Sequence, residues 1–253
     1  MKGHGLLEGK VVVVTAAAGT GIGGATARRC LEEDAHVMIS DQHEKRLAAT
    51  LADLAAAHGG RVTARPCDVT DNDQVQALID GAAQHFGRID VMINNAGLGG
   101  TASVLEMTDE QWSRVLDITL TGTFRCVRAA GQRFVAAGKK GVIVNNASVI
   151  GWRAQEGQAH YAAAKAGVMA LTRCAAVDLA PHGIRVNAVS PSLAMHPFLA
   201  KVTSDELLAE LKQREAFGRA AEPWEVANVM VFLASDYSSY LTGEVISVSS
   251  QHD

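Results

Sequence analysis

Short runs of β-branched and other apolar residues alternate with longer helix-forming stretches from one end of the chain to the other. That alternation constrains the fold more than any single motif. The apolar runs are Val11–Thr15, His36–Asp41, Arg61–Cys67, Ile89–Asn94, Gly141–Asn146, Arg185–Val189 and Glu244–Val248. Several are apolar almost throughout, the pattern of parallel strands covered on both faces. Helical patterns fill the intervals at Ile22–Glu33, Glu44–His58, Asn72–Phe86, Asp109–Ala137, Tyr161–Ala180 and Trp224–Ala234. Thr108 with Gln111 fits a capping box, and Pro223 suits a first helical turn. This rhythm predicts an α/β fold with one doubly wound parallel sheet of about seven strands and right-handed crossovers. No linker, repeat or low-complexity tract divides it, so residues 1–253 read as a single domain. Only the stretch 190–222 breaks the rhythm. It is too long for an ordinary connection, carries a short helix near Ser204–Glu215, and is expected to be a lid.

Composition narrows the partners. With 48% hydrophobic and 20% charged residues, the 253-residue chain can bury a sizeable core. A net charge of -4 and a pI near 6.1 give no global pull toward nucleic acid or an anionic membrane. No apolar run approaches the ~20 residues of a membrane helix. The opening "MKGHGLLEGK" lacks the apolar core of a signal peptide, so a cytoplasmic enzyme is expected. Cys30, Cys67, Cys126 and Cys174 stand singly in apolar segments, which reads as buried, reduced thiols and offers no metal-ligand spacing.

The first strand runs into "TAAAGTGIGG", where Gly19, Gly21 and Gly24 spell GxGxxG. Ligands of open α/β sheets bind at the carboxyl ends of the strands. A small-residue turn there lets backbone approach a pyrophosphate, and the free N–H groups and dipole of the following helix favour the anion. Asp41 closes the second strand about 20 residues later, where a carboxylate accepts from adenosine ribose hydroxyls. A carboxylate there repels a 2′-phosphate, and no Arg or Lys follows it immediately, which favours NAD over NADP.

Further along, Tyr161 and Lys165 form YxxxK, with Ser148 thirteen residues before the tyrosine. Residues i and i+4 share a helix face, so the Lys165 ammonium can stand beside the Tyr161 hydroxyl. A free tyrosine titrates near ~10 and is a poor base at neutral pH. A neighbouring cation, joined by a positive nicotinamide ring, stabilises phenolate and is expected to lower that value. Tyr161 could then exchange a proton with a substrate hydroxyl while Ser148 holds the reacting oxygen.

"NNAG" at Asn94–Gly97, "CDVTD" at Cys67–Asp71, "GIRVNAVSP" at Gly183–Pro191 and "FLASDYSSYLTGEVI" complete an ordered set. On these motifs the chain resembles the short-chain dehydrogenase/reductase family over essentially its full length, which implies a Rossmann-like sheet. The resemblance implies cofactor contacts from Thr15, Gly19, Gly21, Ile22, Gly23, Asp41, Asn95, Ala96, Gly97 and Pro191. It makes Asp68, flanked by Val69, an adenine-contacting acid, with a strand-end Asp satisfied by backbone N–H groups as the alternative. Tyr161 and Lys165 join the cofactor set, Lys165 through the nicotinamide ribose. Three departures stand out. Thr119 occupies the place of a family Asn that supports a water-linked proton relay, and is a possible relay residue only. Ala16 replaces the first glycine of TGxxxGxG, and the turn is one residue longer, so Gly21-Ile22-Gly23 aligns with the GxG end and Gly19 compensates. Ser192 follows Pro191 where a glycine is usual, and the chain ends in "VISVSSQHD".

The lid offers Met195, His196, Pro197, Phe198, Leu199 and Phe217, and Trp152 and Gln155 follow Ser148. A mainly apolar wall suits a bulky alicyclic or acyl-chain alcohol. "GLLEGKVVVVTAAAGTGIG", "ITLTGTF" and "SSQH" resemble an actinobacterial subgroup associated with steroid-ring breakdown, acting on hydroxylated hydrindane acids or their CoA thioesters. "EGQAHYAAAKAG" resembles the NADPH-dependent 3-oxoacyl carrier-protein reductases, which remain an alternative, as does a relative that binds NAD without turnover. The helices at Asp109–Ala137 and Tyr161–Ala180 resemble those that pair across subunits. Ala162, Ala163, Ala166, Gly167 and Ala170 would permit close approach in a homotetramer or homodimer.

Overall fold

The computed structural model describes residues 3–195 and 205–250. Seven parallel strands form one sheet in the order β3-β2-β1-β4-β5-β6-β7. They are β1 Val11–Val14, β2 His36–Ile39, β3 Val62–Ala64, β4 Val91–Asn94, β5 Val142–Asn146, β6 Arg185–Pro191 and β7 Val245–Val248. The chain winds outward from β1 in one direction, then returns to β4 and winds outward in the other. The switch point therefore lies between β1 and β4, and a crevice opens there at the carboxyl edge.

The four valines of β1 show why this strand is central. All are buried, and their side chains alternate between two cores. Val12 and Val14 pack with Val37 and Ile39 of β2 against α1 (Ile22–Glu32) and α2 (Glu44–His58). Val13 and Met92 of β4 pack on the opposite face against α3 (Asn72–Phe86). Each such buried side chain contributes about 1.5–3 kcal/mol relative to exposure. α3 starts where the Asp71 carboxylate accepts from the N–H groups of Asp73 and Gln74, and stops at the left-handed Gly87.

The expected helix over 109–137 is interrupted. It consists of α4 (Asp109–Leu116), a π-helical turn at Asp117–Thr121, and α5 (Gly122–Ala136). The Thr108–Gln111 capping box opens α4 as expected. The catalytic-motif helix, α6, spans Ala159–Leu179 and so begins two residues before Tyr161. The lid helix is α7 (Asp205–Arg214), and α8 (Pro223–Ala234) opens on Pro223. Other limits shift by a few residues. Strand β3 starts one residue later than the predicted 61–67 because Gly59–Arg61 coils into a 3-10 turn, and it stops at Ala64, opposite the last residue of β2, whereas β6 extends to Pro191 through pairing with Val248. Cys30, Cys67 and Cys126 are buried, but Cys174 is exposed on α6, because it falls outside the face of that helix turned to the sheet. No helix among the described residues is long and apolar enough to cross a membrane.

Candidate active site

Backbone dominates the turn between β1 and α1. Ala16 has φ 49°, a left-handed conformation strained for any residue with a Cβ, and Gly19 has φ 92°. Left-handed backbone thus falls at the position where the family carries its first glycine, although this chain has alanine there. A Cβ on Gly23 would lie 2.3 Å from the Ala16 carbonyl oxygen, and one on Gly24 would lie 1.9 Å from that of Gly19. Helix and turn therefore touch backbone to backbone. Gly21 is the N-cap of α1 and supplies no side-chain cap, so the first helical N–H groups, beginning at Ile22, are available to a ligand. This cradle fits a pyrophosphate.

The turn is held from behind by polar side chains. The Thr15 hydroxyl accepts from the N–H groups of Asn95 (3.0 Å) and Ala96 (3.1 Å). The Asn95 amide donates to the carbonyls of Thr15 (3.2 Å) and Ala16 (3.1 Å). Asn95 in turn accepts from the Asn146 side chain at 2.9 Å, and the Asn146 carbonyl accepts from Lys165 Nζ at 2.5 Å. One row below, Asn94 donates to Asn145 (2.8 Å), and Asn145 to Thr172 on α6 (2.9 Å). The glycine turn, two strand ends and Lys165 thus form one connected network. The double role of Asn146 was missed from sequence; its only signal was a second asparagine at the end of an otherwise apolar strand.

Ser148, Tyr161 and Lys165 come together as expected. The Ser148 hydroxyl lies near enough to the Tyr161 phenol to act on its pKa, and Lys165 Nζ lies 5.6 Å from the centroid of the Tyr161 ring. Ser148 is buried after β5, where its hydroxyl also accepts from the Ile150 N–H (3.3 Å). The electrostatics differ from expectation. Burial pushes the Tyr161 phenol above its ordinary value, opposed in part by the Ser148 hydrogen bond. Burial also pushes the Lys165 ammonium down to about 8. Without a further positive charge, desolvation outweighs the Ser148 contribution, and the site favours a neutral phenol.

Thr119 lies in the π turn and is fully buried. Its hydroxyl accepts from the Leu98 N–H (2.9 Å) and donates to the Leu98 carbonyl (3.1 Å), so it pins the loop after β4. A Cβ on Gly97 would lie 3.4 Å from Lys165 Nζ and 3.7 Å from Thr119 Oγ1, which puts these residues side by side.

The remaining expected residues surround this centre. Asp41 is buried; its oxygens accept from the N–H groups of His43 (2.9 Å) and Ala18 (3.3 Å). Arg46, a turn into α2, brings its guanidinium to 3.7 Å from Asp41, an approach the sequence reading did not anticipate. Asp68 accepts from the backbone and hydroxyl of Thr70 through Oδ1 (2.9 and 2.8 Å), the strand-end satisfaction read as an alternative, and Val69 packs against Gly122. Pro191 is buried at the end of β6. Trp152 is 52% exposed, and Gln155 lines a groove of about 400 Å³ with Ala102–Val104, Gly157 and Ala162. Met195 donates its N–H to Ala221 (2.9 Å), and Glu215 ties the lid to Leu193 (3.3 Å) and to Ser250 (2.7 Å). Phe217 is exposed rather than part of a packed wall. His196, Pro197, Phe198 and Leu199 lie outside the described residues.

Comparison with known proteins places this geometry in a family. A family model described as enoyl-(acyl carrier protein) reductase matches residues 16–250. The chain is 66% identical over 250 residues to the (5R,7aS)-5-hydroxy-7a-methyl-1-oxo-2,3,5,6,7,7a-hexahydro-1H-indene-carboxyl-CoA reductase of Mycobacterium tuberculosis, covering 99% of this chain and 95% of that protein. It is 44% identical over 240 residues to a cis-4-hydroxycyclohexanecarboxylate dehydrogenase of Sinomonas cyclohexanicum, covering 94% of each. The crystal structure of a short chain dehydrogenase from Mycobacterium smegmatis superposes with a TM-score of 0.89 at 58% identity, covering 100% of this chain and 97% of that one. The chain belongs to the short-chain dehydrogenase/reductase family and is an oxidoreductase that interconverts secondary alcohols and ketones.

Proposed function

We propose that this enzyme interconverts a ring alcohol and a ring ketone on a bicyclic, hexahydroindene-type carboxylic substrate carried as a CoA thioester, using NAD(H), within steroid-ring breakdown. The observation that carries the chemistry is the convergence of Ser148, Tyr161 and Lys165, with Lys165 Nζ 5.6 Å from the Tyr161 ring centroid, at the switch-point crevice. The 66% identity to a hydroxy-hexahydroindene carboxyl-CoA reductase supports the substrate, and the predominantly apolar groove beside α6 is compatible with it.

Bound nicotinamide supplies or accepts the hydride. Ser148 orients the reacting oxygen, and Tyr161 donates its proton to that oxygen as a ketone becomes an alcohol. A phenol kept neutral by burial suits this direction. Lys165, fixed by the Asn146 carbonyl, holds a positive charge beside the ring and supports proton return when the reaction runs toward the ketone. Thr119 orders the loop next to Lys165 through Leu98 and serves here as a brace rather than a relay.

Asp41 supports NAD, because its buried carboxylate occupies the end of β2. Arg46 beside it means that loss of the carboxylate would free a cation for a 2′-phosphate. The test is a panel of cyclohexanols, hydroxyacyl thioesters and hydroxysteroid-like alcohols with each cofactor, followed by absorbance of the reduced nicotinamide. Saturation by NAD is expected, with Asp41→Ser raising kcat/KM for NADP at least tenfold. Preferential saturation of the unmodified enzyme by NADP would overturn the assignment.

The four cysteines are unpaired, which supports a reducing cytoplasm as the place of work. Exposed Trp112, Phe124 and Val177 on α4, α5 and α6 support assembly as a homotetramer or homodimer, checked by light scattering. Gly167 is committed within the chain, since a Cβ there would lie 2.7 Å from Leu120, whereas Ala163 and Ala170 are exposed.

A further inference from the structure

We propose that Arg153 reads a negatively charged group carried by the alcohol or ketone substrate, and so selects anionic ring substrates over neutral ones. The inference rests on the proposed alcohol–ketone chemistry and adds a recognition residue to it.

Arg153 Nη1 is buried and has no hydrogen-bond partner. Of the six buried side-chain polar atoms without one among the described residues, it alone belongs to a permanently charged group. An unpaired, partly desolvated guanidinium is costly, and proteins rarely keep one without a counter-charge. The exposed Glu156, three residues away, makes no ion pair with it.

Its place in the chain points to the substrate. The Gly151 N–H donates to the Ser148 carbonyl (2.9 Å), and the N–H groups of Trp152 and Arg153 both donate to Val149 (2.9 Å each). Residues 148–153 are thereby coiled into one tight turn that holds the Arg153 backbone close to Ser148. The next residues, Ala154–Gly157, form one wall of the groove of about 400 Å³ whose other side includes Ala159 and Ala162, flanking Tyr161 on α6. Arg153 therefore stands between Ser148 and that groove along the chain. The groove is mainly apolar and its one charged lining residue is Glu156, so it can take a ring or aliphatic arm but supplies no cation of its own. A planar guanidinium suits both sources of negative charge in such a substrate, a ring carboxylate and the phosphates of a CoA arm.

The test compares wild type with Arg153→Gln and Arg153→Lys on cyclohexanol, cis-4-hydroxycyclohexanecarboxylate and the CoA thioester of that acid. The ratio of kcat/KM for anionic over neutral alcohol is expected to fall at least tenfold in Arg153→Gln, through KM, with partial recovery in Arg153→Lys. A fall with the free acid alone identifies the ring carboxylate as the group read. A fall with the thioester alone identifies the CoA phosphates. An unchanged ratio overturns the proposal, as does a change in oligomer mass in Arg153→Gln without a change in the ratio, which would make a partner subunit the counter-charge. Calorimetric titration with cyclohexanecarboxylate and with the thioester separates this inference from the reaction itself. Binding of either anion that weakens tenfold in Arg153→Gln, in a protein that turns over no alcohol, would sustain the recognition residue and sink the proposed reaction. Turnover with no charge discrimination would do the reverse.

Discussion

The two sides of the crevice are built on opposite plans. On the proposed nucleotide side, Thr15 and Asn95 tie the turn to the end of β4, Asn146 backs Asn95, and Gly23 and Gly24 bring helix and turn into backbone contact. On the proposed substrate side, Phe217 is 76% exposed, Val104 of the groove 74% and Trp152 52%. One side is tightly determined, so an atom added at Gly23 or Gly24 collides with backbone. The other presents apolar side chains with little packed around them. A family that keeps its cofactor and changes its substrate requires this division, because loops can be rebuilt without disturbing the network that holds the hydride chemistry in place.

Substitution should expose the contrast most sharply at Gly24. Gly24→Ala drives a Cβ into the Gly19 carbonyl, with a cost of about 3 kcal/mol and at least a hundredfold weaker nucleotide binding. Phe217→Ala, by comparison, should move stability by no more than ~0.5 kcal/mol. Urea unfolding and nucleotide titration of both variants measure this, and equal losses at the two sites would erase the distinction.

A second effect concerns the charge buried in the network. The folded value of Lys165, about 8, lies below its unfolded value of 10.5, so the unfolded chain binds more protons between them. Stability should therefore rise with pH across that window. Relative to Lys165→Met, the wild type should gain up to about 3 kcal/mol between pH 8 and 10.5, one pKa unit being about 1.4 kcal/mol. Parallel stability curves for the two proteins would mean that the ammonium is not desolvated.

The smallest effect is expected at Ala16. Its φ of 49° costs about 1–2 kcal/mol for an L residue, and relief by Ala16→Gly is offset in part by the greater freedom of glycine in the unfolded chain. A gain below ~1 kcal/mol in Ala16→Gly, and a clear loss in Ala16→Val, should appear in thermal unfolding. A loss in the glycine variant would show that the alanine methyl contributes packing that outweighs its strain.

Much of this was legible in the residues because the signals are local. Apolar runs placed all seven strands, and the spacing of Ser148, Tyr161 and Lys165 brought three side chains to one point. The features that escaped depend on contacts between distant segments. Helical periodicity does not encode a π turn, which here accompanies the Thr119–Leu98 bonds and the close approach of Gly122 to Val69. The partnership of Arg46 with Asp41 depends on the angle at which α2 leaves β2. The direction of the Tyr161 shift follows from burial of the phenol, whereas the expected lowering counted the positive nicotinamide ring together with Lys165. The left-handed backbone at Ala16 was foreshadowed only by a missing glycine.

The central claim is that Tyr161 exchanges the proton with the substrate oxygen. Steady-state oxidation of cis-4-hydroxycyclohexanecarboxylate with NAD, followed by the absorbance of NADH, tests it in wild type and Tyr161→Phe. The phenylalanine keeps the ring and loses only the hydroxyl. The account predicts at least a thousandfold loss of kcat with NAD affinity changed less than tenfold. Oxidation at the wild-type rate in Tyr161→Phe would contradict it.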